Sequence, residues 1–300
     1  PTYPTFHQPN QMLRMFPVKK DYISDEVTAF PLQVISHRKT GLFRMRVSLG
    51  EVTSGQWEQS MPIDHDLEVM HPWYYQTTLI EEDIAISFTP GKKAGIYRVE
   101  FPASSQKNML LSGSGSMVAE VEGKNAFRLI EKYTYRSRSP AHVPLEMTIW
   151  CYGELTDTEG RPAKGARISS SKGKLKIECG ANVPDTVLFK YAVSYVSEKQ
   201  ARKNYRAEVE KNNFDEIASA ARSAWDVELG KIQVTGGTTA QKRTFYTSLY
   251  RTHERMVDIN EDGHYYSGYD GKVHASDRPF YVDDWIWDTF RAQHPLRTIL

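Results

Sequence analysis

The stretch TVLFKYAVSYVSEKQARKNYRAE, residues 186–208, decides the fold, because the spacing of its apolar residues changes part-way through. From Thr186 to Val196 the run is dense in β-branched and aromatic residues and reads as a buried strand. Ser197 then stands three residues before Gln200, the pattern of a capping box, and the helix it opens carries Ala201, Asn204, Tyr205 and Glu208. A region of strands therefore gives way to a region of helices near Val196 and Ser197.

Upstream of that point the dominant period is two. In Gly41 to Leu49, Leu42, Arg44, Arg46 and Ser48 alternate with Phe43, Met45, Val47 and Leu49, the pattern of a half-buried strand. Tyr74 to Ile80, Ile84 to Phe88, Gly95 to Phe101, Met109 to Ser112, Met117 to Glu122, Ala126 to Arg136, Pro144 to Tyr152, Arg167 to Ser170 and Lys174 to Cys179 continue the series. About a dozen short strands with no helix among them predict a large antiparallel β-sandwich, since two apolar sheet faces must cover each other. Residues 1–31 are irregular, and Pro1, Pro4, Pro9 and Pro17 exclude a helix there. They predict an extended arm anchored by Met12, Leu13, Met15 and Phe16.

Downstream, Asn213 can cap a helix whose stripe is Phe214, Ile217, Ala221, Trp225 and Leu229, with Gly230 as its stop. Gly236 and Gly237 make a turn, and Thr238 with Gln241 forms another capping box, opening a helix with Phe245, Leu249 and Met256 on its buried side. So few helices cannot surround an active site. The chain is expected to stop soon after its second domain has begun, leaving faces such as Phe245 and Leu249 exposed.

Composition narrows the function classes. The 38 basic residues balance 37 acidic ones, so no global field points to nucleic acid or an anionic membrane. No run approaches a membrane span and no signal peptide opens the chain. Seventeen Tyr, twelve Phe and six Trp suit carbohydrate binding and an ordinary all-β core equally. Cys151 and Cys179 are too few for a disulfide scaffold, and either pair across a sheet or sit apart as small buried residues.

The most chemically loaded stretch is DDWIWDTFRAQHP, residues 283–295. At helical spacing Asp284 and Asp288 are four apart, Trp287 and Arg291 are four apart, and Asp288 reaches Arg291 at three. Carboxylate and guanidinium groups can pair with sugar hydroxyls while a flat indole covers the apolar face of a pyranose. The plainer reading is a buried tryptophan pair with an Asp/Arg bridge at a helix start. Asp284 and Asp288, one turn apart, stand too close to straddle a sugar with a water between them, so they suit substrate positioning rather than inverting catalysis.

Other chemistry is poorly supported. The glycine clusters lack the spacing and lysine of a phosphate loop, and there is no HExxH or paired-cysteine metal pattern. His37, His65, His71 and His142 have no second histidine at ligand spacing. Asp258, Asn260, Glu261 and Asp262 resemble a calcium loop in composition but not in ligand order. HYYSGYDG, residues 264–271, reads as a long loop or hairpin displaying tyrosines.

Four segments together resemble glycoside hydrolase family 92, the calcium-dependent exo-acting α-mannosidases: YAVSYVSEKQARKN at 191–204, FDEIASAARSAWDVELGKIQVTGG at 214–237, KRTFYTSLYRTH at 242–253 and WDTFRAQHPL at 287–296. A looser likeness runs through residues 73–102. The resemblance implies an N-terminal β-sandwich over residues 1–196, a helical linker over 197–237, and the incomplete beginning of an (α/α)6 barrel over 238–300. It implies an inverting exo-glycosidase releasing terminal mannose from glycans, with calcium as cofactor and a periplasmic, cell-surface or secreted location. By the same likeness the catalytic acid, the base and most calcium ligands fall after Leu300, so residues 1–300 alone are expected to lack turnover. Trp287 and Asp288 then look like contributors to the mannose subsite, with Arg291 and His294 as supports.

Two departures bear on specificity. HQPNQMLRMFPVKKDYISDEVTAFPLQVISHR, residues 7–38, replaces the family's glycine-rich opening, and Tyr250 is followed by Arg251 where many members have histidine. These leave three alternatives to an α-mannosidase: an exo-glycosidase of different sugar specificity, a non-catalytic carbohydrate-binding sandwich, and a structural sandwich module.

Overall fold

Alternating strands build two antiparallel sheets in the computed structural model, which describes residues 5–21, 23–35, 40–103, 106–135 and 145–300. Pro1, Pro4, His37, Arg38, Arg136, His142 and Pro144 lie outside the described residues. The larger sheet has eight strands in the order Ser116–Glu122, Ala126–Tyr135, Leu145–Thr156, Thr186–Ser194, Ala94–Glu100, Ile84–Pro90, Tyr74–Leu79 and Val69–His71. The smaller has five, Ala166–Ser171, Lys174–Gly180, Gln106–Ser112, Thr40–Leu49 and Phe30–Ile35. One apolar cluster joins their inner faces, with Met45, Met109 and Ile177 from the smaller sheet and Phe88, Phe127 and Phe189 from the larger. The arm seals one side of it through Phe6, Met12, Leu13, Met15 and Phe16, all buried.

Some strands differ from their sequence patterns. Thr40–Leu49 is not half-buried: Arg46 and Ser48 on its polar face are buried too, with Glu58 of the following turn acting on Arg46. The edge strand Val69–His71 is exposed throughout and lacks any apolar alternation to announce it. Cys151 and Cys179 sit in different sheets, both buried and both free.

The two sheets are also tied by polar groups. Between Phe30–Ile35 and Thr40–Leu49 the ladder pairs Pro31 with Arg44 and Gln33 with Leu42 but skips Leu32 and Phe43. Phe43 takes a left-handed φ of 50°, and its N–H donates to Oε2 of Glu131 in the opposite sheet at 2.7 Å. The other Glu131 oxygen accepts from the backbone N–H groups of Ser114 and Gly115 at 2.6 and 2.9 Å. In the reverse sense, the hydroxyls of Tyr97 and Tyr191 donate across the sandwich to the carbonyls of Pro31 and Leu32, each at 2.7 Å. The Phe43 N–H and the Leu32 carbonyl, left out of the ladder, thus find their partners in the facing sheet.

Three helices follow: α1 (Glu198–Glu208), α2 (Phe214–Gly230) and α3 (Thr239–Thr252). Asn213 with Glu216 and Thr238 with Gln241 form complete capping boxes. At α1 only half the box forms: Ser197 accepts from the Gln200 N–H, but the Gln200 amide donates to Asn204 and Asp262 instead of returning. Phe214, Ile217, Ala221 and Trp225 make the buried stripe of α2. On α3, Leu249 is already buried at 3% exposure and Phe245 is half-buried, so the expected exposure of that face holds for neither; Met256 falls beyond the helix end. Glu208 at the end of α1 accepts the backbone N–H groups of Lys92, Lys93 and Ala94 at 2.8 to 3.2 Å, locking α1 onto a sandwich turn. A side chain at Gly91 would place its Cβ 2.5 Å from that carboxylate, so the turn requires glycine.

Glu131→Ala would strand three backbone donors, that of Phe43 deep between the sheets. We expect it to lower unfolding free energy by about 3 kcal/mol, read as a shifted urea midpoint at unchanged slope. Glu131→Gln, which keeps one acceptor oxygen, should recover part of that loss.

Candidate functional site

Residues 283–295 do not form the continuous helix that their spacing fits. A continuous helix would put Pro295 in its interior, where the ring collides with the preceding turn. The chain instead makes a short α4 (Ile286–Thr289), breaks, and restarts as α5 (Gln293–Ile299), so that Pro295 falls in a first turn that needs no N–H. Asp284 therefore precedes α4 rather than sharing its face with Asp288. Its Oδ1 accepts from the Thr289 hydroxyl at 2.8 Å, and its Oδ2 lies 3.1 Å from His294 Nε2, stapling α4 to α5.

The expected Asp288–Arg291 bridge does not form. Among the described residues nothing pairs with the Asp288 carboxylate, which is exposed on α4, and the Arg291 guanidinium lies 5.7 Å over the neighbouring Phe290 ring. Trp287 is 63% exposed. The tryptophans are adjacent, with centroids 5.1 Å apart, but Trp285 is the inner member, with the Arg255 guanidinium 4.9 Å over its ring. The tryptophans are thus not a buried pair: Trp285 is half-buried, while Trp287 and Asp288 present a flat apolar ring and an unengaged acceptor.

Beneath this segment the arm and the end of α3 make a polar junction that sequence spacing did not reveal. Asp283, at a left-handed φ of 65°, places Oδ2 3.9 Å from Arg14 and 3.7 Å from Arg255. Arg14 is buried; its N–H donates to Gln33 Oε1 at 3.2 Å and its guanidinium donates to the Glu254 carbonyl. Gln293 of α5 donates to the carbonyls of Thr252 and Arg255 at 3.0 and 2.6 Å. Arg297 donates to Asn10 Oδ1 at 2.9 Å. The available signal was Arg14 itself, a charge between Leu13 and Met15 that must find a partner if its neighbours are buried.

Metal-binding geometry is absent among the described residues: no three His, Cys, Asp or Glu side chains could hold an ion together. The calcium-like run 258–262 disperses. Glu261 is buried, accepting from the Tyr195 N–H and the Asn204 amide at 2.8 Å each, and Asp262 pairs with Lys203. Residues 264–275 form a hairpin in which Tyr265 and Tyr266 pack on the sandwich and Tyr269 alone of the three is fully exposed.

The chain matches the sequence model of the glycosyl hydrolase family 92 N-terminal domain over residues 1–172 and that of the family 92 catalytic domain over residues 200–300. A family 92 inverting mannosidase of Bacteroides thetaiotaomicron superposes with a TM-score of 0.83 at 24% identity, covering 99% of this chain and 43% of its own. An α-mannosidase of the same family and organism, solved in complex with mannoimidazole, gives 0.80 at 18% identity, covering 98% and 43%. An uncharacterized secreted glycosidase of Arthroderma benhamiae is 32% identical over 82 residues, 26% of this chain and 11% of the relative. The chain thus spans less than half the length of these mannosidases.

Two histidines set the acid sensitivity of the junction. His7 and His253 are fully buried beside Trp225, with ring centroids 5.4 and 5.6 Å from the indole, and neither Nε2 has a partner among the described residues. Burial, with Arg14 adding repulsion, holds His7 down to about 3, and burial with Arg297 holds His253 down to about 4. The unfolded chain binds these protons near the ordinary value of 6.5, so their contribution is complete above that pH and is lost as pH falls toward 4. Near pH 5 the pair should cost about 2 to 3 kcal/mol per pH unit. Urea unfolding at pH 7, 6 and 5, compared between the parent and a His7→Asn/His253→Asn double variant, should show a shallower pH dependence in the variant. That comparison cancels the carboxylates Glu208, Glu254 and Glu261, whose raised values act in the opposite sense.

Proposed function

The chain belongs to glycosyl hydrolase family 92, and on that premise we propose that it serves an exo-acting, calcium-dependent, inverting α-mannosidase that releases terminal mannose from glycans. The observation carrying this reading is the succession of the family's N-terminal and catalytic domain models along one chain. The geometry of α4 supports it. Trp287 offers an apolar face for the ring of the sugar, Asp288 accepts from its hydroxyls, Arg291 donates from the following turn, and His294 is oriented by Asp284.

Inversion needs an acid on one side of the glycosidic bond and a base with its water on the other. No residue of this chain is assigned either role, and residues 1–300 alone are expected to lack turnover. Calcium, when bound, would supply positive charge toward sugar hydroxyls; no residue of this chain is assigned as its ligand. The secreted glycosidase relative favours a periplasmic, cell-surface or secreted location. The replaced opening at residues 7–38 favours, as a second reading, an exo-glycosidase of different sugar preference.

The full-length protein should release mannose from α-linked mannobiose in calcium, lose that activity after chelation, and yield β-mannose first by proton NMR. Asp288→Ala should lower kcat/KM by roughly a hundredfold, through lost orientation of the sugar. Release of no sugar from any α-mannoside, or an Asp288→Ala variant within twofold of the parent, would sink the reading.

A further inference from the structure

We infer that Arg14 is a positioning residue, a guanidinium carried by the N-terminal arm that sets the course of residues 283–287 and through them the Trp285–Trp287 pair. Its connection to sugar binding rests on the reading proposed above; its effect on the loop does not.

The argument starts from where Arg14 is held. Its flanking residues Leu13 and Met15 are fully buried in the sandwich core, so the backbone cannot shift without opening that core. Gln33 fixes the Arg14 N–H and also donates to the Met12 carbonyl at 2.8 Å and to the Tyr195 hydroxyl at 2.6 Å, so three segments agree on one position. From that point the guanidinium reaches the Glu254 carbonyl and faces the Asp283 carboxylate.

Asp283 is where the loop needs help. A left-handed φ at a non-glycine residue is disfavoured, and here its side chain is held between two arginines. One of them, Arg255, also covers Trp285. Arg14 therefore supports the turn from the sandwich side, Arg255 from the α3 side, and the turn delivers Trp285 and then α4 with Trp287 and Asp288. A lysine at position 14 would keep a charge facing Asp283 but replaces the planar guanidinium, which donates to the Glu254 carbonyl while facing that carboxylate, with a single ammonium.

The test uses the indole pair as its own reporter. Two tryptophans with centroids 5.1 Å apart should give an exciton couplet in the ultraviolet circular dichroism spectrum, absent in Trp287→Phe. Arg14→Lys and Asp283→Asn should each weaken that couplet while leaving the β-sheet signal unchanged, and the double variant should be no worse than the stronger single one. Titration calorimetry with methyl α-mannoside should show each single variant binding roughly tenfold more weakly, again without additivity. An intact couplet in both single variants overturns the inference, as does an additive double variant. A parent chain that binds no mannoside, with couplets lost as expected, would refute the sugar reading and leave Arg14 as the support of the loop.

Discussion

A carboxylate accepting amide N–H groups from a different element recurs at each major joint of this structure, and the arrangement of the parts depends on it. Glu131 joins the two sheets at the break between Leu32 and Phe43. Glu208 joins α1 to the turn at Lys92–Ala94. Glu261 joins the segment after α3 to the end of the strand Thr186–Ser194 and to Asn204 of α1. Apolar burial is non-directional and would permit the layers to slide; a carboxylate held by two or three amide donors fixes one register and one angle. The same device, repeated, fixes the helical region relative to the sandwich.

That fixity matters for the segment of chemical interest. α4 is a single turn, too short to hold its shape by its own hydrogen bonds. Its orientation comes from outside: Asp284 ties it to His294, Gln293 ties α5 to the carbonyls after α3, and Asp283 sits between arginines from the arm and from that same connection. Exposed Trp287 and Asp288 are thus presented by borrowed rigidity, which is how a short element can serve as part of a precise site.

Much of this was legible in the sequence where the cause is local. The capping residues Asn213 and Thr238, the stripe from Phe214 to Trp225 and most of the strand positions depend on neighbours a few residues away, and they appear as read. The candidate site was legible only as a concentration of residue types. Pro295 carried the warning against a continuous helix, but the spacing of Asp284 and Asp288 was the more visible pattern and it misled. The Arg14–Asp283 contact, the exchange of partners at Leu32 and Phe43, and the burial of Glu261 are decided by which surfaces meet in space, information that periodicity does not hold.

The arm has a consequence for the order in which the molecule is assembled. Its hydrogen bonds to the helical region span 218 residues from His7 to Trp225, 245 from Thr5 to Tyr250 and 240 from Arg14 to Glu254. During synthesis residues 5–14 emerge long before those partners exist, and closing loops of that length carries an entropic cost that only a formed sandwich and formed helices can offset. Phe6, Met12 and Leu13 can settle on the sandwich early, but the face of the arm toward Trp225 must wait. A chaperone that shields extended apolar segments would find its target there, in the interval between the folding of the sheets and the arrival of α2 and α3.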